Sequence, residues 1–91
     1  DWMAVYGADF GDEGANTFTA NVKAPKEDFG IIEIRLDKLT GDAIGYLKIE
    51  ADGSEDFKEI TTNLSTTITG EHDLVFVFYG EGYEIDYWSF K

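Results

Sequence analysis

Between Ile32 and Ile49 the sequence IEIRLDKLTGDAIGYLKI alternates apolar with polar side chains, breaks at turn-forming residues and then resumes. Strand side chains point to opposite faces with a period of two, whereas a helical face repeats about every 3.6 residues, so the pattern predicts two strands around a turn. Ile32, Ile34 and Leu36 point one way, and Glu33, Arg35 and Asp37 point the other. One face is expected to pack and the other to be wet. Carboxylate, guanidinium and carboxylate in a row on a rigid sheet can grip a polyhydroxylated ligand, because Arg is a fork of donors and Glu and Asp only accept. That chemistry points towards sugar recognition.

Seven strand-like runs cover the chain, at Trp2 to Tyr6, Thr17 to Lys23, Ile31 to Asp37, Ala43 to Ile49, Phe57 to Thr62, Leu74 to Tyr79 and Glu84 to Phe90. Between them lie pieces rich in Gly and Asp, with the chain's one proline at Pro25, residues that accept turn dihedrals. No stretch of helical length keeps a helical apolar period. The fold class is therefore all-β, and short, evenly spaced strands favour a sandwich or jelly roll. Leu74-Val-Phe-Val-Phe78 is apolar on both faces and reads as a central strand, whereas Phe18, Ala20 and Val22 alternate with polar neighbours and predict one wet face. The chain's 91 residues fit a single domain, 1–91, with little margin in its core.

Nineteen acidic residues against seven basic ones give a net charge of −12. With 43% hydrophobic and 15% aromatic residues, the chain is too apolar for a disordered acidic tail. Its charge repels phosphate backbones and anionic lipid, so nucleic acid and membrane surfaces are excluded as expected partners, while neutral glycans and cations remain. With no cysteine, neither a disulfide framework nor a thiolate metal site can form. Carboxylates are too abundant for any pair of them to indicate glycoside hydrolysis, and there is no nucleophile elbow or P-loop. His72, the one histidine, reads as a turn residue, and Asp9, Asp12 and Glu13 as a solvated turn without the spacing of an EF-hand. Catalysis is not expected within these residues.

In order and spacing, several segments resemble family 6 carbohydrate-binding modules, the β-sandwich modules attached to plant cell wall hydrolases. They are Asp1-Trp2, DFG at Asp9 to Gly11, ANTFTANV at Ala15 to Val22, IEIRLD at Ile32 to Asp37, TTNLS at Thr61 to Ser65, HDLVFVF at His72 to Phe78 and IDYW at Ile85 to Trp88. The family pattern also includes residues ahead of the Trp2 strand. The resemblance therefore implies either a segment of a longer module or an edge completed by something else, with a strand edge open to exposure in both cases.

The same resemblance implies two places for sugar. One is a cleft among the end loops, where two rings sandwich a pyranose and an Asn hydrogen-bonds it. Here the loop Trp position is Ser54 and the Asn position is Glu84, so that cleft is expected to be defective, with Tyr79 and Tyr83 as partial substitutes and Glu84 as an acceptor. The other is a cleft on the sheet face, whose matching residues are Trp2, Glu33 and Arg35, with Tyr79 where many members carry Lys. The competing reading makes Glu33 and Arg35 a solvated cross-strand pair and Trp2 simply core. Asp86 of IDYW resembles a calcium ligand of the family, but Ca²⁺ takes about six to eight oxygens, so no ion is expected on this segment alone; calcium is implied only for a longer module. The implied function is a noncatalytic module that binds xylan or a β-glucan and holds a linked hydrolase near it, secreted or at the cell surface. The alternative is a packing domain of such a hydrolase that has lost sugar binding.

Overall fold

A computed structural model describes residues 2–24, 29–50, 56–80 and 83–91. Seven strands run in chain order: β1 (Trp2–Asp9), β2 (Ala15–Lys23), β3 (Phe29–Leu36), β4 (Ala43–Glu50), β5 (Lys58–Ile68), β6 (Glu71–Gly80) and β7 (Glu84–Phe90). They form two antiparallel sheets, one of four strands in the order β1-β6-β3-β4 and one of three in the order β5-β2-β7. The expected β-sandwich is thus observed, with Leu74 to Phe78 on a central strand.

Alternation decides what lies between the sheets. Phe18, Ala20 and Val22 of β2 meet Ile32 and Ile34 of β3, Leu47 and Ile49 of β4, and Leu74 and Phe76 of β6, all buried. Aromatic rings couple the layers: the Phe18 and Phe76 centroids lie 5.7 Å apart and those of Phe76 and Trp88 5.1 Å apart. Buried side chains of this size contribute roughly 1.5–3 kcal/mol each, which a domain this small requires.

Several strand ends depart from the sequence reading: β1 runs on to Asp9, β6 begins at Glu71, and β5 and β3 differ for identifiable reasons. The fifth strand continues to Ile68, well past Thr62, and its pairing with β2 slips between Ala15↔Ile68 and Thr17↔Asn63. The β-branched Thr66 and Thr67 sustain the extended chain through that irregularity, while Leu64 packs inward. The third strand stops at Leu36, because Asp37 takes a φ of 71°, in the left-handed region that Asp tolerates better than bulkier residues do. Its N–H donates to the Asp73 carbonyl at 2.7 Å, and its carboxylate lies 3.1 Å from His72 Nδ1. His72 Nε2 donates to the Thr69 carbonyl at 2.9 Å. The histidine expected in a turn therefore sits in β6 and clamps one end of the sheet.

The two flanks of the sandwich differ. β4 and β5 come together on one side, where a side chain on Gly45 would lie 2.9 Å from Leu64 Cδ2, so the absence of a Cβ allows the close approach. On the other flank the backbones of β1 and β7 stand apart among the described residues, and an apolar cavity of about 240 Å³ opens there, lined by Met3, Phe76, Phe78, Ile85 and Trp88.

Candidate functional site

The register of the four-stranded sheet places the predicted Trp2 and Glu33 in one row, with Tyr79 and Arg35 in rows on either side. Trp2 pairs with Val77, Val77 with Glu33, and Glu33 with Tyr46, so these four residues cross β1, β6, β3 and β4 in a single row on the outer face. One row along, Tyr79 pairs with Ile31; on the other side Arg35 pairs with Val75, and Val75 with Ala4. Paired residues of antiparallel strands share a face, because their Cβ atoms leave the sheet on the same side. The inner face, with Ile32 and Ile34, keeps the opposite parity.

Glu33 does not meet the expectation of a wet row: it is only 7% exposed. Arg35 Nε donates to its carboxylate, and the Tyr46 hydroxyl hydrogen-bonds it as well. Arg35 Nη1 donates to the Leu39 carbonyl, and Tyr79 adds a further side-chain contact to the guanidinium. Glu33 is therefore a buried anchor that fixes its neighbours, and Arg35 is half-buried above it. Long side chains from the adjacent strands cover the carboxylate, which alternation within β3 alone could not reveal. Asp37 lies past the strand end, outside the row.

The Arg35 guanidinium is held above its ordinary range, first by the hydrogen bond to Glu33 and then by the charge of that carboxylate. The Tyr46 phenol is pushed up by the same two influences, since ionising it would place a second anion against the carboxylate. Arg35 thus stays a cation and Tyr46 stays neutral. This face offers ring surface to solvent, with Trp2 56% exposed, Tyr46 55% and Tyr79 46%, beside the exposed Lys48–Glu50 ion pair of β4. Trp2 is accordingly no core residue. Flat rings beside fixed polar groups suit the two kinds of surface that a pyranose presents, its axial C–H groups and its hydroxyls.

The residues expected at the end loops behave differently. Tyr83 is half-buried, packs over Gly30 and donates its hydroxyl to the Tyr79 carbonyl at 3.2 Å; burial pushes its phenol up. Glu84 forms an ion pair with Lys23 at 2.9 Å. The Tyr83 ring is therefore a packing element, whereas the Glu84 side chain stays mostly exposed beside Lys23. Ser54 lies outside the described residues. Asp86 is the extra residue of a bulge where Asn21 pairs with Tyr87 and Val22 with Ile85, and it lines the apolar cavity. Among the described residues no three His, Cys, Asp or Glu side chains gather as a metal site.

Tyr46 was missed from the sequence. Its signal was parity: Tyr46, Lys48 and Glu50 share the exposed face of β4 against buried Leu47 and Ile49. An aromatic residue on an exposed parity marks a surface ring. Tyr46 also forms one wall of a notch of about 270 Å³ between β4 and β5, to which Thr62, Asn63 and Ser65 contribute.

A sequence model of the carbohydrate binding module (family 6) matches residues 1–91. The chain belongs to this family. An arabinoxylan arabinofuranohydrolase of Bacillus subtilis (strain 168) is 42% identical over 95 residues, covering 99% of the chain and 18% of that protein. A solved family 43 arabinoxylan arabinofuranohydrolase from Bacillus subtilis, in complex with cellotetraose, superposes with a TM-score of 0.86 at 42% identity, covering 100% of this chain and 19% of that one. A family 6 carbohydrate-binding module from Clostridium cellulolyticum, in complex with xylose, gives a TM-score of 0.84 at 32% identity, with coverage of 100% and 71%. The module thus spans less than a fifth of the curated relative it matches.

Proposed function

We propose that this module binds a β-linked plant polysaccharide, xylan or a β-glucan, on the outer face of its four-stranded sheet, and serves as the noncatalytic, secreted accessory of a polysaccharide hydrolase. One observation carries the reading: Trp2 and Tyr79 expose their rings on a face whose floor is the buried Glu33 with the half-buried Arg35 paired to it. Family membership and the sugars held by the similar structures, cellotetraose in one and xylose in the other, support the ligand class. The role for a linked enzyme is one of local concentration, since tethering raises the effective concentration of a catalyst near an insoluble substrate without new chemistry. At the end loops Tyr83 supports the choice of face, because it is half-buried and its hydroxyl is already bound to the Tyr79 carbonyl.

The test is retention on insoluble xylan and β-glucan together with chemical-shift titration by xylo- and cello-oligosaccharides. Trp2→Ala, which removes a mostly exposed ring and leaves the core intact, should abolish retention while the spectrum stays folded. Unchanged retention in that variant would overturn the assignment of this face.

A further inference from the structure

We infer that Tyr46 is a second stacking platform, so that a glycan lies across the strands of the outer face, from Trp2 on β1 to Tyr46 on β4. The inference rests on the functional reading above and extends it to the direction and length of the ligand. Three observations carry it.

The first is the pairing row. Trp2, Val77, Glu33 and Tyr46 are consecutive partners across four strands. Neighbouring strands are about 4.8 Å apart, so the two end residues stand about 14 Å from each other. A disaccharide is too short to cover both rings; a tetrasaccharide is long enough. Between them the row holds only Val77 and the covered Glu33, with no large exposed side chain to interrupt a chain laid along it.

The second is orientation. The Tyr46 hydroxyl is tied to the Glu33 carboxylate, which Arg35 grips from β3. A ring held at its far end loses little freedom on meeting a ligand, so the platform is formed before the sugar arrives. More than half of the residue stays open to solvent despite this tether, at 55% exposure. That combination is unlike the half-buried Tyr83, whose ring packs onto Gly30.

The third is the surface beyond the ring. Tyr46 shares its notch with Thr62, Asn63 and Ser65 of β5, so the chain's far end meets hydroxyl- and amide-bearing residues where it leaves the sheet. The ligand class is therefore an extended β-linked chain of four or more residues. A mono- or disaccharide uses only part of the row.

Calorimetric titration of the 91-residue chain with xylo- and cello-oligosaccharides of two to six residues separates this inference from the reading beneath it. For the wild type, affinity should climb until the ligand reaches both rings and then level off. Tyr46→Ala should lower tetraose and hexaose affinity by about fivefold to tenfold and leave biose affinity within about twofold. Tyr46→Phe, which keeps the ring, should retain most of the tetraose affinity and guards against a fault in folding. Trp2→Ala should weaken every length. If Tyr46→Ala binds all lengths like the wild type while Trp2→Ala still fails, the second platform is wrong and the binding face stands. If Trp2→Ala also binds normally, the face itself is wrong.

Discussion

Gly30 carries a stability prediction that the geometry makes quantitative. It sits on β3 with the inward parity of Ile32 and Ile34, and the ring of Tyr83 occupies the space its side chain would take. An added Cβ would lie 2.2 Å from Tyr83 Cε1, 2.6 Å from Cδ1 and 3.0 Å from the Tyr79 carbonyl oxygen. Carbon atoms in good contact stand about 3.5–4.0 Å apart, so the ring must retreat by more than about 1 Å. That retreat also breaks the 3.2 Å hydrogen bond from the Tyr83 hydroxyl to the Tyr79 carbonyl. Overpacking of a core costs about 1–3 kcal/mol and a lost hydrogen bond about 0.5–1.5 kcal/mol, so Gly30→Ala should destabilise by about 3 kcal/mol. For a domain of this length that lowers the melting temperature by roughly 10–20 °C, measured by circular dichroism. The companion is the same substitution in a Tyr83→Ala background. With the ring gone only the 3.0 Å approach to the Tyr79 carbonyl oxygen remains, so Ala at position 30 should cost clearly less than in the wild type. Equal costs in the two backgrounds would refute the claim that Tyr83 is a packing residue fitted to Gly30.

Phe76→Ala should cost about 3–5 kcal/mol in urea unfolding, because the ring is 1% exposed and lies 5.1 Å from Trp88, and a small domain has little stability to lose. The phenols of Tyr46, Tyr83 and Tyr87 lie above the ordinary tyrosine value of 10.0, from contact with Glu33, from burial and from contact with Glu59 respectively. A folded value above the unfolded one means that the neutral form is favoured by folding. Their stabilisation is then full below about pH 10 and is lost as pH rises through the folded values, which ultraviolet titration of tyrosinate and unfolding at alkaline pH will follow. Glu84→Ala should change stability by less than about 1 kcal/mol, since its pair with Lys23 is mostly exposed on the glutamate side, and a larger loss in thermal unfolding would contradict that placement.

Much of the architecture was written in local patterns. Phe18, Ala20 and Val22 declared the inner face of β2, and the apolar run at Leu74 to Phe78 declared a central strand, because a side chain's direction along a strand depends only on parity. The end of β3 was not legible. Nothing in IEIRLD says that Asp37 will turn left-handed, since that conformation is held by contacts to Asp73 and His72 from a strand far along the chain.

The same distinction runs through the site. Sequence by itself determined the face: it placed Glu33 and Arg35 opposite Ile32 and Ile34. The tertiary structure alone decided what that face exposes. Cross-strand register, a non-local quantity, set Tyr46 opposite Glu33 and aligned both with Trp2, and side chains from neighbouring strands then covered the carboxylate and left the rings in water. Period-two alternation assigns a side chain to one of two faces, while burial depends on what the adjoining strands bring beside it.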